Sequence, residues 1–444
     1  MHQAPHPANE HLVIVGNGMA GHRLVEALAG KPGRPARITV IGDELDPAYN
    51  RILLSPLLAG EMARPALTLR DRDWYADQGI DLILGERVTD IDRAARRLTT
   101  DSGRTLDYDR LVLATGSRPA RPPVPGLELP GVEVFRDLRD AEALIRFTQR
   151  QAAERDGSAV VIGGGLLGLE AAEGLRKRGQ GERAQDQGGL RVSLLQRDDR
   201  LMNRQLDLTA ARLLENELRG RGLDIYTDAE LERLEADGQG RVCAALLADG
   251  TRLPASCVVV AIGIVPNADL GRVAGLTVDR GIVVDAWLTT SDPAIHALGE
   301  CCEFEGQTFG LVEPIWRQVE VLAARLSGET VDGYVDAPCA TKLKVSGVSL
   351  YAFGPTEPDP DHEVLSYRDP QQGDYRRLLL RDGRLEGVVL YGDTASGPWY
   401  FEQALAGCDL TACRAALLLG AADAQTLLDD ASNESPQRPA KEAA

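Results

Sequence analysis

Leu12-Val13-Ile14-Val15-Gly16-Asn17-Gly18-Met19-Ala20-Gly21 is the stretch that decides the fold. A short apolar run stops at Gly16, as a buried parallel strand does. Met19 to Ala29 then shows helical spacing and ends near Gly30, with Pro32 beyond. Arg37 to Ile41 is a second strand. In such a unit the first glycine makes the tight turn, the second lets a pyrophosphate approach the backbone, and the third lets helix pack on strand. The helix N-terminus offers free N–H groups and a partial positive charge. Gly16, Asn17, Gly18, Met19, Ala20 and Gly21 are therefore candidate dinucleotide-binding residues. Asp43 and Glu44 follow the second strand, roughly 20 residues on, where a carboxylate accepts ribose hydroxyls. Glycines also serve ordinary turns; the coincidence of strand, helix, second strand and terminal acid favours binding.

The same plan returns further along. Ala159 to Ile162 reads as a strand, Leu166 to Arg178 as a helix and Arg191 to Leu195 as the next strand. Between strand and helix stands Gly163-Gly164-Gly165-Leu166-Leu167-Gly168, which makes Gly163, Gly165, Leu166 and Gly168 candidates for a second dinucleotide. Two such units imply a bound flavin and a passing nicotinamide nucleotide. The acid expected after the second strand is missing, and Gln196 and Arg197 stand there. A carboxylate repels a 2′-phosphate, whereas Gln beside Arg tolerates one, so NADH and NADPH both stay open. Arg197 reads equally well as a solvated surface charge.

Leu111 to Ala114 and Val258 to Ile262 are further apolar strands, each followed by Gly and each suited to close one nucleotide domain. Gly179 to Gly189 is polar and reads as a surface loop. Thr341 to Val345, Tyr375 to Leu380 and Leu385 to Tyr391 look like antiparallel strands. The expected architecture is α/β: two Rossmann-like dinucleotide-binding domains plus a C-terminal α+β domain. Its boundaries are 1–122 and 255–330 for the flavin domain, 123–254 for the NAD(P)H domain, 331–421 for the C-terminal domain and 422–444 for a disordered tail.

Composition narrows the function. The 444 residues are 43% hydrophobic and 26% charged, enough for a sizeable core. A formal net charge of −18 repels phosphate backbones, so nucleic acid is not an expected partner. No apolar span is long enough to cross a bilayer, and Met1 to Glu10 lacks the plan of a signal peptide, so a cytoplasmic protein is expected. The seven cysteines are odd in number and form no Cys-x-x-Cys pair, which argues against a disulfide framework and against zinc or iron–sulfur ligation; no metal is expected.

These residues carry a resemblance. The chain resembles the pyridine-nucleotide–flavin oxidoreductases of the glutathione-reductase-like fold. Ala114-Thr115-Gly116 is similar to that family's segment under the FAD. Ala261-Ile262-Gly263 with Pro266-Asn267 is similar to the matching segment of the nucleotide domain. Thr289-Thr290-Ser291-Asp292 leading to Ala297-Leu298-Gly299-Glu300 is similar to the second FAD motif, where the family usually has Asp in place of Glu300. Tyr49-Asn50-Arg51-Ile52-Leu53-Leu54-Ser55, Leu201 to Asp207 and Tyr391-Gly392-Asp393-Thr394 resemble the flavin portion of the assimilatory NAD(P)H nitrite reductase large subunit and the assimilatory nitrate reductase electron-transfer subunit. Rubredoxin and ferredoxin reductases are a looser match: they usually carry a Lys where Pro56 follows Ser55. The resemblance implies FAD held by the first loop, Asp43 or Glu44, Arg51, Val88, Ala114, Thr115, Gly116, Gly299 and Glu300. NADH or NADPH is then held by the second loop with Gln196, Arg197 and Gly263. Arg51 and Glu170, near flavin and nicotinamide, are the candidates for a direct part in hydride transfer.

The large subunit normally continues into iron–sulfur and sirohaem domains. Nitrite reduction is accordingly expected to need a partner bearing iron–sulfur, sirohaem or molybdenum centres; a homodimer stays open. Dithiol reductases and single-cysteine oxidases of this fold place a thiolate against the flavin, yet no cysteine precedes Cys243. Cys301-Cys302 and Cys408 with Cys413, the latter pair expected in one helix, read mainly as small packing residues. His22 and His296 read as structural or surface positions, and Trp399-Tyr400-Phe401 as core or dimer contact. The Pro314 to Arg325 helix offers its N-terminus to charge at the flavin edge. Rival functions are a stand-alone oxidase or quinone-type reductase, and a non-catalytic nucleotide-binding redox sensor.

Overall fold

The computed structural model describes residues 9–154, 157–180, 189–345 and 347–434. The chain divides into two compact units, residues 1–157, 174–190 and 257–337, and residues 158–173, 191–256 and 338–444.

In the first unit, strands Ile295–Ala297, Arg110–Leu113, His11–Val15, Arg37–Gly42 and Ile80–Leu84 lie side by side in that order, all parallel. Val15 pairs with Ile41 on one side and Leu113 on the other, so all three strand ends meet at the first glycine loop. Leu12, Val13 and Ile14 are fully buried, as strands covered on both faces require. Each such side chain contributes about 2 kcal/mol of burial. Helix Met19–Ala29 begins and ends where its sequence pattern does, and it lays Leu24, Val25 and Leu28 on the sheet. Helix Val312–Leu326 packs beside it.

In the second unit, Ser158–Ile162, Arg191–Leu195 and Leu223–Tyr226 are parallel neighbours. Helix Leu166–Gln180 follows the first of them. The C-terminal sheet is antiparallel, in the order Thr341–Val345, Val348–Phe353, Arg384–Tyr391, Asp374–Arg381, Glu363–Asp369. The strands Val348–Phe353 and Glu363–Asp369 were not expected from the sequence. Glu363–Asp369 is an edge strand with mostly exposed, polar side chains, so it lacks a clean apolar alternation.

Cys257–Val260 is absent from the first parallel sheet and pairs in parallel with Val132–Val134, while the segment from residue 257 groups with the first unit. An apolar strand fits either sheet, and only its pairing decides. Two expectations are corrected. The tail is not disordered from 422, because Ala421–Glu434 is a helix. Its Ala424 is buried, Leu428 packs on the C-terminal core, and Trp399 Nε1 donates to Gln425 Oε1 at 2.8 Å. Residues 435–444 lie outside the described residues, as do 181–188 of the expected Gly179 to Gly189 loop, and Gly179 itself is helical. Finally, Cys408 and Cys413 share no helix. Gly397–Ala406 ends before Cys408, and Cys413 sits in the separate turn Thr411–Ala416.

Trp399, Tyr400 and Phe401 resolve as core packing: Tyr400 is fully buried and its hydroxyl donates to Leu417 O. Among the described residues no helix is long and apolar enough to cross a membrane.

Candidate functional site

The first glycine loop is built for close approach. Gly16 has φ +114°, and a Cβ there would stand 2.1 Å from Ala114 O. Gly18, by contrast, has nothing within 4 Å of a Cβ position. It caps the helix without a side-chain hydrogen bond, which leaves the first-turn N–H groups without a side-chain acceptor. Asn17 Nδ2 is buried without a partner. These features fit a dinucleotide pyrophosphate.

The two acids after the second strand separate. Asp43 turns outward to Arg87, 3.2 Å away. Glu44 turns inward, accepts the Tyr49 hydroxyl at 2.7 Å and pairs with Arg51. Burial keeps Tyr49 protonated well above its ordinary range, and its oxygen accepts Leu138 N–H at 3.0 Å. Burial also works against charge on Arg51, but the carboxylates of Glu44, Asp137 and Glu300 favour it, and the guanidinium stays charged. Glu44 is thus the better placed of the two for a ribose. Gly85 N–H and Glu86 N–H tie to Glu44 O and Gly42 O, bringing buried Val88 close behind the same turn.

Arg51 also donates to Arg136 O at 3.3 Å, and Arg136 pairs with Glu300. Ser117 Oγ donates to the same Glu300 carboxylate at 2.9 Å. Glu44, Arg51, Arg136 and Glu300 therefore form one connected line, with the two arginines between the two carboxylates. Thr115 and Asn267 clasp each other: Thr115 Oγ1 donates to Asn267 O at 2.7 Å, and Asn267 Nδ2 donates to Thr115 O at 2.9 Å. Gly116 O accepts Asn267 N–H, and Gly263 O accepts Ala120 N–H, both at 2.9 Å. Gly299 N–H is held by fully buried Gln318 Oε1 at 2.8 Å. Arg136, Ser117 and Gln318 escaped the sequence reading because no motif marks them.

In the second loop, Gly163 N–H donates to Leu195 O at 2.8 Å. Gly165 has open space where a side chain would stand, and Leu166 starts the helix that carries Gly168 and half-buried Glu170. Gln196 also bonds within the loop. It is buried, its Oε1 accepts Gly164 N–H at 2.8 Å, and its Nε2 donates to Asp198 at 2.9 Å. Its carboxamide thus ties the loop to the turn after the second strand. Arg197 is exposed.

The other candidates fall away as chemical groups. His296 is buried with its pKa pushed down to about 3, chiefly by burial, so it stays neutral. Cys301 and Cys302 are buried free thiols whose pKa values burial pushes up, which removes the thiolate.

Residues 10–321 match the pyridine nucleotide-disulphide oxidoreductase family, and residues 339–404 match the rubredoxin NAD+ reductase C-terminal domain. The chain is 39% identical to nitrite reductase [NAD(P)H] of Bacillus subtilis (strain 168), over 90% of this chain and 48% of that one. It is 38% identical to the assimilatory nitrate reductase electron transfer subunit of the same organism, over 87% of this chain and 48% of that one. The chain thus spans about half the length of these curated relatives. Among solved structures, the covalent putidaredoxin reductase–putidaredoxin complex superposes with TM-score 0.81 and 30% identity, covering 96% of this chain and all of that one. The chain belongs to the pyridine nucleotide-disulphide oxidoreductase family and is an FAD-dependent NAD(P)H oxidoreductase.

Proposed function

We propose that the protein passes electrons from NAD(P)H through FAD to a separate redox protein, a nitrite or nitrate reductase component with iron–sulfur, sirohaem or molybdenum centres. The observation that carries this is the missing internal acceptor: no cysteine precedes Cys243, and Cys301 and Cys302 are buried thiols. The two Bacillus subtilis relatives support the choice of acceptor. The 1–122 segment holds FAD and the second glycine loop holds NAD(P)H, in a protein of the cytoplasm.

When bound, the two cofactors supply the hydride chemistry, and the chain orients them. The open backbone at Gly18 admits the pyrophosphate, and the free N–H groups of the first helical turn meet its charge. Glu44 takes the adenosine ribose, and Glu300, fixed by Arg136 and Ser117, takes the ribityl chain. Helix Val312–Leu326 has no side-chain cap, and its N-terminus favours negative charge at the flavin edge. Gly165 opens the second loop to the nicotinamide dinucleotide, Gln196 holds that loop in shape, and Glu170 faces the nicotinamide side. No general base is required.

A second reading, a ferredoxin or rubredoxin reductase, is favoured by the match of residues 339–404 and by the putidaredoxin reductase likeness. The test is to reduce the protein with NAD(P)H without oxygen and mix it with each acceptor. Fast reoxidation by a nitrite or nitrate reductase component supports the first reading. Fast reoxidation by ferredoxin or rubredoxin supports the second. Turnover with oxygen or quinone alone refutes both.

A further inference from the structure

A short polar chain runs from the outer face of helix Met19–Ala29 to the first glycine loop. His22 Nδ1 lies 2.7 Å from the Tyr75 hydroxyl, and that hydroxyl lies 2.9 Å from Asn17 Oδ1. At the outer end, His22 Nε2 stands 3.6 Å from Glu26 Oε1. His22 is 1% exposed and Tyr75 0%, and both pack against the Trp74 ring. Each end of the chain leaves a buried nitrogen unsatisfied, His22 Nε2 and Asn17 Nδ2. Such orphans are uncommon in folded proteins.

Counting protons accounts for both. The Tyr75 hydroxyl has one hydrogen and two neighbours. If it donates to Asn17 Oδ1, His22 Nδ1 must carry a hydrogen and donate to Tyr75. A neutral imidazole would then aim the Nε2 lone pair at the Glu26 carboxylate, whereas a second proton makes an ion pair. If the Asn17 carboxamide is turned over, Nδ2 donates to Tyr75 and Tyr75 donates to His22 Nδ1. A neutral His22 then donates from Nε2 to Glu26. The two arrangements differ by one proton on His22 and by whether Asn17 offers an N–H or a carbonyl beside Gly16 and Gly18. An anion at the loop selects the N–H, and with it the protonated imidazole.

We infer that Asn17, Tyr75 and His22 are positioning residues that couple binding of an anionic dinucleotide at the first loop to uptake of one proton by His22. The inference rests on the assignment of FAD to that loop. Glu26 and Arg23 face His22 from its own helix, and Arg70, Trp74 and Tyr75 from the segment before Ile80. Arg70 Nε is 2.9 Å from Glu26. Burial lowers the His22 pKa first, Arg70 and Arg23 lower it further, and Glu26 opposes them. His22 is therefore neutral at pH 7 until an anion at the loop raises its affinity for the proton. A groove of about 370 Å³ lined by Arg23, Glu26, Arg70, Trp74, Trp316 and Glu320 reaches Glu26, the outer neighbour of His22.

The test is calorimetric titration of the apoprotein with FAD at pH 7, in two buffers of different ionisation enthalpy. The wild type takes up as much as about one proton per FAD, and its affinity rises by up to about tenfold for each pH unit lowered between 7.5 and 6. His22→Gln and Tyr75→Phe, which break the chain at different atoms, lose both the uptake and the slope. Equal uptake in the wild type and these variants, or FAD binding without uptake in the wild type, overturns the coupling. Gly18→Asp places a carboxylate against the pyrophosphate and abolishes FAD binding. FAD binding that survives Gly18→Asp instead overturns the assignment of FAD to the first loop, and the inference with it.

Discussion

Gly16 and Gly18 stand two residues apart and tolerate opposite changes. A side chain at Gly16 meets Ala114 O at 2.1 Å in a backbone conformation that L residues rarely adopt. Gly16→Ala is expected to cost on the order of 3 kcal/mol, read as a lowered thermal midpoint of the apoprotein. Gly18 has ordinary extended backbone and open space around it. Gly18→Ala should leave the apoprotein within about 1 kcal/mol of wild type while weakening FAD binding. Equal destabilisation by both would contradict the division between a structural and a ligand-facing glycine. Glycine spacing marked both residues in the sequence but could not tell them apart, because the distinction is made by Ala114, some hundred residues away along the chain. The same holds for the acids: Asp43 and Glu44 were equivalent until Tyr49 and Arg51 drew one of them inward.

At the scale of elements, helix Leu138–Glu154 opens on a reciprocal cap. Asp140 N–H donates to Asp137 Oδ1 at 3.0 Å, while Arg136 and Asp137 N–H donate to Asp140 Oδ2. Burial and then Asp137 push the Asp140 pKa up to about 6. The folded protein therefore binds this proton more tightly than the unfolded chain, whose Asp titrates near 4. The stability it contributes is complete below about pH 4 and is lost as pH rises through about 6, at most about 3 kcal/mol. Asp140→Asn keeps an acceptor oxygen and removes the titration. Its thermal midpoint should gain on the wild type between pH 4 and 7, and parallel curves would contradict this. The segment Leu201 to Asp207, which carried part of the family resemblance, proves structural at its end. Asp207 caps helix Leu208–Gly220 through Ala210 N–H, accepts the Tyr375 hydroxyl at 2.7 Å and pairs with Arg377 at 2.9 Å. Asp207→Ala leaves the nearly buried Arg377 guanidinium with the more distant Glu357, 3.9 Å away, and should cost about 3 kcal/mol in denaturant unfolding. A loss below about 1 kcal/mol would show that Glu357 suffices as the partner of Arg377. Helix and strand positions were legible wherever a 3.6- or 2-residue period ran uninterrupted, as in Met19–Ala29. They were not legible at Glu363–Asp369, a polar edge, or at Ala421–Glu434, whose apolar face is short.

For the molecule as a whole, two glycine loops after two parallel strands carried the fold and both cofactors in advance of any structure. What remained hidden were side chains that act across long sequence separations. Arg136 meets Glu300, Gln318 holds Gly299, and Tyr75 bridges His22 to Asn17, and each contact exists only once the sheet has formed. Gln196 was legible as a position, but its 2.8 Å bond from Gly164 N–H was not. The central claim is that one nicotinamide dinucleotide delivers hydride to bound FAD. The most direct measurement is the flavin absorbance of the purified protein as NADH, and then NADPH, is added without oxygen. Rapid bleaching of the yellow band by at least one of them is the predicted result. FAD that is bound yet bleached by neither would contradict the account and reduce the second glycine loop to a structural or regulatory feature.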